Sequence, residues 1–348
     1  WAMDVARFGD YASPQYGTIK SSENYERRFI MTFPNETLPK GRKQKTTALY
    51  DRFVNQGAVM GDSFGLENVL WFANNKEDAH EEPTIKRSRS HDYVSKEVIN
   101  VRENVGLIEV ANFSKHEFKG PDARKFLDHI MAGRLPKPGR ISLSPMLSYR
   151  GKLCGDLTVA CLDENEFMVF GSGAAQEMHR RWFESHIDKF NLSYFNRSDE
   201  YHGLSIAGPN SRKVLEKIVR DDVSNEKFKF RDSRRMFVGG VPAIINRISF
   251  TGELGYEIYV APHYQLKLYE ELMEAGKEFN IKPFGGRALM SMRLEKNWGA
   301  WTLDYRPDFT AKETGLDAFI NWDKEFIGKE SAQKENSSNK LVPLIVET

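Results

Sequence analysis

The chain carries one helix-opening segment twice, and this duplication constrains its fold more than any other feature. The segment Gly120-Pro-Asp-Ala-Arg-Lys-Phe-Leu-Asp-His-Ile130 matches Gly208-Pro-Asn-Ser-Arg-Lys-Val-Leu-Glu-Lys-Ile218, with Gly, Pro, Arg, Lys, Leu and Ile in register. Pro in the first turn and apolar residues at helical spacing predict a helix after each Gly-Pro. Strand-like runs flank both helices, so the sequence predicts two strand–helix–strand–strand–helix units. This pattern indicates an α+β protein with antiparallel sheets, although a chance match of common turn residues is the alternative.

A second similarity places one acid in each half of the chain. The runs Tyr149-Arg-Gly-Lys-Leu-Cys-Gly-Asp-Leu-Thr-Val159 and Phe250-Thr-Gly-Glu-Leu-Gly-Tyr-Glu-Ile-Tyr-Val260 each have a turn glycine followed five residues later by a carboxylate. These acids are Asp156 and Glu257. If the two hairpins are copies that fold face to face, the acids approach a shared centre. We therefore interpret the pair as a candidate binding site.

Composition describes an ordinary globular protein and argues against several partner classes. The 348 residues are 40% hydrophobic and 28% charged, and this length predicts two or more domains. The formal net charge is +1, which gives no electrostatic case for nucleic acid or an acidic membrane as a partner. No apolar run approaches the roughly 20 residues of a membrane span. Cys154 and Cys161 fit neither a disulfide framework nor a metal-ligand spacing, so a reducing compartment is expected.

Local composition predicts three parts and a chain cut from a longer one. Residues 1–75 are rich in aromatic and turn residues. The charged segment 74–90 predicts a surface loop at a domain boundary, and the region that contains the duplicated units is placed at 76–330. The last residues, 340–348, are predicted to begin a strand, and residues 331–348 are expected to begin a further domain. The two units are placed at about 91–200 and 201–330, and helices are predicted at 22–33, 46–56, 93–105, 121–133, 174–189, 209–220, 263–279 and 287–296.

Strand alternation suggests which residues surround the acids. Asp156 shares a strand face with Thr158 and Ala160, whereas Glu257 shares one with Tyr259. A carboxylate on such a face suits a ligand with paired N–H donors or a developing cationic amine. The alternative is that each acid only satisfies an arginine or a backbone amide.

Other residues give weaker signals. Arg293, within a helical stretch, could bind a carboxylate ligand or form an internal salt bridge. The eight histidines are scattered and form no metal-ligand pattern, so no metal site is predicted. Neither G-x-S-x-G nor G-x-G-x-x-G occurs, which gives no support for a hydrolase elbow or a dinucleotide-binding loop in this stretch.

Several motifs together resemble the folate-binding, aminomethyltransferase-like fold of the glycine-cleavage T-protein. They are Ser249-Phe-Thr-Gly-Glu-Leu-Gly-Tyr-Glu-Ile258, Arg293-Leu-Glu295, Thr314-Gly-Leu-Asp-Ala-Phe319 and Phe326-Ile-Gly-Lys-Glu330. The folate-binding half of the dimethylglycine and sarcosine dehydrogenase flavoenzymes is more similar still. The resemblance extends to Asp4-Val-Ala-Arg-Phe8, Glu26-Arg-Arg-Phe29, Gly57-Ala-Val-Met-Gly61 and Trp71-Phe-Ala73, which are similar to the segment that joins the flavin and folate halves.

The resemblance implies roles for individual residues. Asp156 matches the catalytic acid near the folate nitrogens, and Glu257 matches the pterin-binding glutamate. Arg293 matches a family arginine, with contact to the folate tail as a weaker inference. The family's usual Tyr before Thr-Gly-Glu is Phe250 here, so its hydroxyl is lost or is supplied by Tyr256 or Tyr259.

The resemblance also implies a function. It identifies the chain as the tetrahydrofolate-binding portion of a flavin-dependent N-demethylase that captures a one-carbon unit as 5,10-methylenetetrahydrofolate. The partners would be reduced folate and a small methylated amine, with FAD bound in another half of the parent enzyme. The expected location is the bacterial cytoplasm or the mitochondrial matrix of a eukaryote. The alternatives are a stand-alone aminomethyltransferase and a non-catalytic folate-binding module, and the resemblance also implies that a C-terminal barrel is truncated here.

Overall fold

Two large sheets form the centre of the computed structural model, which describes residues 8–34 and 36–345. The strands are β1 (Ala58–Ser63), β2 (Leu66–Phe72), β3 (Val105–Glu109), β4 (Phe113–Lys119), β5 (Arg140–Leu147), β6 (Leu153–Asp163), β7 (Glu166–Ser172), β8 (Ser193–Asn196), β9 (His202–Ala207), β10 (Ser233–Val238), β11 (Val241–Asn246), β12 (Gly255–Val260) and β13 (Ile281–Pro283). One sheet has the order β5-β6-β7-β4-β8 and the other β10-β11-β12-β9-β3-β13, while β1 and β2 form a separate hairpin. Neighbours pair antiparallel except β13 with β3.

Helices cover the outer faces of these sheets and the ends of the chain. They are α1 (Pro14–Glu26), α2 (Tyr50–Asn55), α3 (Ser90–Glu103), α4 (Ala123–Ile130), α5 (Gln176–Glu184), α6 (Ser211–Ile218), α7 (Gln265–Ala275), α8 (Gly286–Glu295), α9 (Ala311–Thr314) and α10 (Lys329–Gln333). None of the helices formed by the described residues has the length and apolar character needed to cross a bilayer.

The duplication predicted from the sequence is present in the order of the elements. The first unit runs β4-α4-β5-β6-β7-α5 and the second β9-α6-β10-β11-β12-α7, so each unit has three strands between its helices and not the two of the predicted strand–helix–strand–strand–helix unit. The sheet orders β5-β6-β7-β4 and β10-β11-β12-β9 are the same arrangement. The strand that precedes each unit pairs with the other unit: β3 adds to β9, and β8 adds to β4.

Backbone conformation and steric crowding explain why a glycine precedes each duplicated helix. Gly120 and Gly208 have φ values of 140° and 129°, where side chains are disfavoured. A Cβ on Gly208 would lie 2.4 Å from the carbonyl oxygen of Val101, and one on Gly120 would lie 2.8 Å from Cα of Leu192. The chain can therefore make the same strand-to-helix turn twice only with glycine.

Strand alternation sends side chains to two kinds of core. Outward residues pack beneath the helices, such as Leu157 and Val159 of β6 in one cluster and Tyr256 and Ile258 of β12 in another. A third cluster lies between the sheets, and it includes Ala160, Met168, Phe170, Ile244 and Tyr259. Burial of both faces explains why β7 and β11 read as largely apolar runs.

The two acid-bearing hairpins are not equivalent copies, and this corrects the sequence interpretation. Asp156 lies on β6, the second strand of the first trio, whereas Glu257 lies on β12, the third strand of the second. A glycine turn followed by a strand is common enough for the same short pattern to arise on different strands of the unit. The Gly-Pro segments are the true equivalents.

Other sequence predictions differ from the structure near the ends. The helix predicted over 22–33 is wrong, since α1 spans Pro14–Glu26 and Phe29 and Met31 beyond it are exposed. Residues 334–345 form no strand, and Leu344 and Ile345 are 84% and 95% exposed. The strand predicted over 340–348 is therefore absent from residues 340–345, while residues 346–348 and the motif residues 4–7 lie outside the described residues.

Candidate functional site

Both predicted acids lie on the faces that look between the two sheets. On β6, Asp156 alternates with Leu157 and shares its face with Ala160, a member of the cluster between the sheets. On β12, Glu257 shares its face with Tyr259, which belongs to the same cluster. The two acids therefore enter the inter-sheet space from different units.

Glu257 is a buried carboxylate with spare capacity to accept hydrogen bonds. It is 7% exposed, and its Oε2 accepts from the hydroxyl of Tyr259 at 2.8 Å. Within the described part of the chain, no group donates to its other oxygen. Burial raises the pKa of Glu257 to about 7, against the lowering effects of the Tyr259 hydrogen bond and of the charges of Lys296 and Lys115.

Asp156 is half-buried, and no side chain of the described residues donates to its carboxylate or forms an ion pair with it. Burial raises its pKa to about 7, because desolvation outweighs the hydrogen bond from its own backbone N–H. Its charge contributes to raising the pKa of Tyr305, which places that phenol nearby. A carboxyl group with these properties can take up or release a proton near neutral pH.

The segment that follows α8 contributes a neighbouring side chain to each of the two acids. Lys296 lies close enough to Glu257 for the carboxylate to oppose the burial-driven lowering of the lysine pKa. Tyr305 is the electrostatic neighbour of Asp156, and its hydroxyl accepts from the N–H of Gly299 at 3.0 Å. One segment, 296–305, thus lies beside both acids.

Arg293 holds this connection in place. It is 5% exposed, and its Nη1 donates to the carbonyl oxygen of Trp298 at 3.0 Å and pairs with Asp304. Its Nε is buried with no partner among the described residues. Of the two readings that the sequence left open, the structure shows the internal salt bridge, and the contact to a folate tail stays a prediction.

The aromatic candidates are divided between the two faces of β12 and the loop before it. Tyr259 stacks on Phe170 of the other sheet, with ring centroids 4.6 Å apart. Tyr256 is not brought to the site, because alternation turns it to the opposite face, where its hydroxyl accepts from Arg212 at 3.2 Å. Its prediction as a ligand-binding residue is corrected accordingly. Phe250 is half-buried in the loop between β11 and β12.

Two polar residues between the sheets were missed by sequence reasoning. Lys115 of β4 is fully buried, with Nζ donating to the carbonyl oxygens of Ala111 at 2.7 Å and Ser198 at 3.3 Å. Asn246 of β11 is also fully buried, and it lies directly opposite Glu257. For Asn246, a polar residue inside the otherwise apolar strand β11 was the available signal, and without knowledge of the neighbouring strand it pointed to no partner. Lys115 lies in the mostly polar strand β4, whose sequence gave no signal that this lysine is buried.

Two cavities lie away from the acids, and the described residues form no metal-ligand cluster. Cavities of about 630 and 410 Å³ open elsewhere, and neither includes Asp156 or Glu257 in its lining. Over residues 8–34 and 36–345, no three side chains of His, Cys, Asp or Glu are grouped so that they could hold a metal ion.

Comparison with known families assigns most of the chain to one family. Residues 49–324 match the GCVT N-terminal domain. The chain belongs to this family. Residues 1–47 match the central domain of FAD dependent oxidoreductases, and this pair of matches confirms the two-part resemblance drawn from the motifs.

Individual relatives agree with this assignment. Mitochondrial dimethylglycine dehydrogenase of Mus musculus is 34% identical over 99% of this chain, and mitochondrial sarcosine dehydrogenase of the same species is 28% identical over 100% of it. The chain spans 41% and 43% of the length of these two relatives. An aminomethyltransferase of Desulfitobacterium hafniense is 29% identical, with 86% of this chain and 78% of the relative covered.

A solved structure confirms the fold class. The glycine cleavage system aminomethyltransferase T from Bartonella henselae superposes with a TM-score of 0.70 at 22% identity, covering 83% of this chain and 74% of that one. The α+β architecture with antiparallel sheets is therefore the T-protein fold.

Proposed function

We propose that this chain is the tetrahydrofolate-binding portion of a flavin-dependent N-demethylase, and that it captures a one-carbon unit as 5,10-methylenetetrahydrofolate. The observation that carries the proposal is the placement of Asp156 and Glu257 on facing inter-sheet surfaces, both with pKa values raised to about 7. The match of residues 1–47 to an oxidoreductase central domain favours a flavoenzyme over a stand-alone aminomethyltransferase. By similarity, the substrate would be a small methylated amine such as dimethylglycine or sarcosine.

The residues of the second sheet fit a reduced pterin. Its amino-pyrimidinone ring presents adjacent N–H donors, and the carboxylate of Glu257 has one oxygen without a described partner. That oxygen is not among the fully buried atoms that lack a hydrogen-bond partner, so it remains accessible to a donor from a ligand although the residue as a whole is buried. We therefore assign Glu257 to the pterin, with Tyr259 fixing the orientation of its carboxylate.

Asp156 is assigned the proton-transfer role. Tetrahydrofolate, when bound, would supply N5 and N10, which form the two bonds to the one-carbon unit while the bond from that carbon to the amine nitrogen of the oxidised substrate breaks. Each folate nitrogen loses one proton. One proton leaves with the released amine, and the other can be accepted by Asp156, a half-buried carboxylate without a competing donor side chain in the described chain. Its raised pKa of about 7 suits it to accept the proton at neutral pH.

The remaining assignments follow the division of the chain. We propose that residues 1–75 belong to the connecting region of the flavoenzyme, 76–330 to the folate region and 331–348 to the start of a further domain. FAD would be held by the oxidoreductase portion of the parent enzyme. The location would be the mitochondrial matrix in a eukaryote or the cytoplasm in a bacterium, and Arg293 is assigned to positioning of the 296–305 connection.

Titration of tetrahydrofolate into the purified chain under anaerobic conditions, followed by calorimetry, tests the binding step. We expect saturable binding at one site, and a sample that is folded by circular dichroism yet does not bind contradicts the proposal. Product formation is tested with Asp156→Asn in the full-length parent. Unchanged formation of methylenetetrahydrofolate there would instead favour a non-catalytic folate-binding module.

A further inference from the structure

A row of polar side chains crosses the second sheet at the level of Glu257. Ser233 of β10 pairs with Asn246 of β11, Asn246 with Glu257 of β12, and Glu257 with Ser205 of β9. All four residues are buried, at 8% exposure or less. Directly opposed residues in antiparallel strands have Cβ atoms about 5 Å apart, so these groups form one continuous polar strip.

The strip faces the space between the sheets. On β11, Ala243 and Ile245 belong to the outer cluster under the helices, whereas Ile244 belongs to the inter-sheet cluster. Asn246 therefore shares the inner face with Ile244. In the first sheet, the positions equivalent to Asn246 and Glu257 are occupied by Ala160 and Met168, which pair with each other. The first sheet therefore has apolar side chains where the second has this part of the polar strip.

Asn246 has an unpaired donor beside the acid. It is fully buried, its Oδ1 accepts from the hydroxyl of Ser233 at 2.7 Å, and its Nδ2 has no partner among the described residues. Ser233 and Glu257 lie on the strands to either side of Asn246, and Ser233 binds the amide oxygen. We therefore infer that the NH₂ group lies on the side of Asn246 that is nearer to Glu257. A buried amide donor without a partner destabilises the folded state, and a bound acceptor would satisfy it.

We propose that Asn246 is a specificity-determining residue that donates to the ring carbonyl of the bound pterin while Glu257 accepts from the two neighbouring N–H groups. This inference rests on the proposed function. A carboxylate next to an amide NH₂ is complementary to an edge with the order donor, donor, acceptor. A 2-amino-4-oxo pterin has this edge, with its 2-amino group, N3–H and O4 in sequence.

A 4-amino pterin presents a different edge to the same residues. Its order is donor, acceptor, donor, so its ring N3 lone pair would face Glu257 and its 4-amino group would face the NH₂ of Asn246. A site built to hydrogen-bond one group discriminates strongly against an analogue that leaves its buried polar groups unpaired. The strip should therefore select 4-oxo over 4-amino folates.

The experiment compares tetrahydrofolate with tetrahydroaminopterin, its 4-amino counterpart, by anaerobic calorimetry on the whole chain. We expect the wild-type chain to prefer the 4-oxo compound by about 100-fold or more. Asn246→Leu should weaken binding of the 4-oxo compound and reduce the preference by about 10-fold, because one matched hydrogen bond is lost. Asn246→Asp, which keeps an acceptor for Ser233, should shift the preference further toward the 4-amino compound.

Asn100→Leu provides the matched control. Asn100 is a buried amide outside the strip, and its Nδ2 donates to the carbonyl oxygen of Val105 at 3.0 Å. This variant should lose stability and keep the wild-type preference. If both Asn246 variants fold, bind and keep the wild-type preference, Asn246 is structural and the inference is overturned. If the wild-type chain binds neither compound, the proposed function fails instead.

Discussion

The two units have the same order of elements but contribute different side chains to the space between them. Phe170 and Tyr259 are equivalent in the two sheets, and they stack on each other. Beside them, Lys115 of the first unit corresponds to Gly203 of the second, since each pairs with its own unit's central aromatic residue. By the same registers, the other equivalent pairs are Asp156 and Pro242, Ala160 and Asn246, and Met168 and Glu257.

The two units share their backbone arrangement, whereas the polar side chains of the candidate site differ between equivalent positions. At each of these positions only one unit has a polar side chain, so no charge faces its own symmetry copy. Like charges facing each other in a buried space would be destabilising. Substitutions that make the units alike therefore test the site directly.

The largest effect is expected when Glu257 is replaced by the residue of the equivalent position, as in Glu257→Met. We expect binding of tetrahydrofolate to weaken by about 100-fold, because hydrogen bonds to a charged acceptor contribute about 1.5–3 kcal/mol each. Calorimetry on the whole chain measures this loss. Met168→Leu is the control in the other unit, and equal losses in both variants would show that general repacking is responsible.

The same substitution changes the pH dependence of stability. The pKa of Glu257 is raised to about 7 in the folded chain, so between pH 4.5 and 7 the folded state binds more protons than the unfolded state. Wild-type stability therefore falls as pH rises through this window, and Glu257→Met should remove that part of the slope. Urea denaturation at pH 5 and pH 8 compares the two chains, and identical slopes would contradict the assigned pKa direction.

The next largest effect is expected on turnover in Asp156→Asn. We expect formation of methylenetetrahydrofolate by the full-length parent to fall by about 100-fold, the usual contribution of a positioned proton acceptor. Binding of tetrahydrofolate should change less than about 3-fold, since the substitution removes no hydrogen bond from another side chain. A variant that loses binding and turnover equally would assign Asp156 to ligand binding instead.

The sequence predicted the scaffold better than it predicted the site. The Gly-Pro turns, the apolar periodicity of α4 and α6 and the alternation of β6 and β12 are local signals, and they placed most elements and the faces of both acids. Pairing between strands is not local, so the Asn246–Glu257 pair and the burial of Lys115 could not be read from the chain. For the same reason the two hairpins looked equivalent although they lie on different strands. The T-protein resemblance supplied the expected roles of the two acids, and these roles stay predictions.

A smaller effect, on stability alone, is expected in Lys115→Met. Burial lowers the pKa of Lys115 to about 7, so between pH 7 and 10.5 the unfolded state binds more protons and wild-type stability rises with pH. The variant should lose this rise, which is on the order of 3 kcal/mol. Denaturation at pH 6.5 and pH 9.5 measures it, with Lys45→Met as the control for loss of a nearby lysine. The charged or titratable groups that face Lys115 are Asp199, Glu109, Lys45, Glu257, His116 and His202.

The smallest effect is expected in Phe250→Tyr, which restores the hydroxyl that the family usually has before Thr-Gly-Glu. Phe250 is half-buried in the loop that precedes β12, so a hydroxyl on its ring can reach solvent or a ligand without a desolvation penalty. One neutral hydrogen bond contributes about 0.5–1.5 kcal/mol, so tetrahydrofolate affinity should rise about 3-fold to 10-fold if the ring contacts the ligand. Tyr256→Phe is the contrast on the opposite face of β12: it should leave affinity unchanged and lower stability through loss of the bond to Arg212. An unchanged affinity in Phe250→Tyr would place the ring of Phe250 away from the ligand and leave Tyr259 as the aromatic hydroxyl beside Glu257.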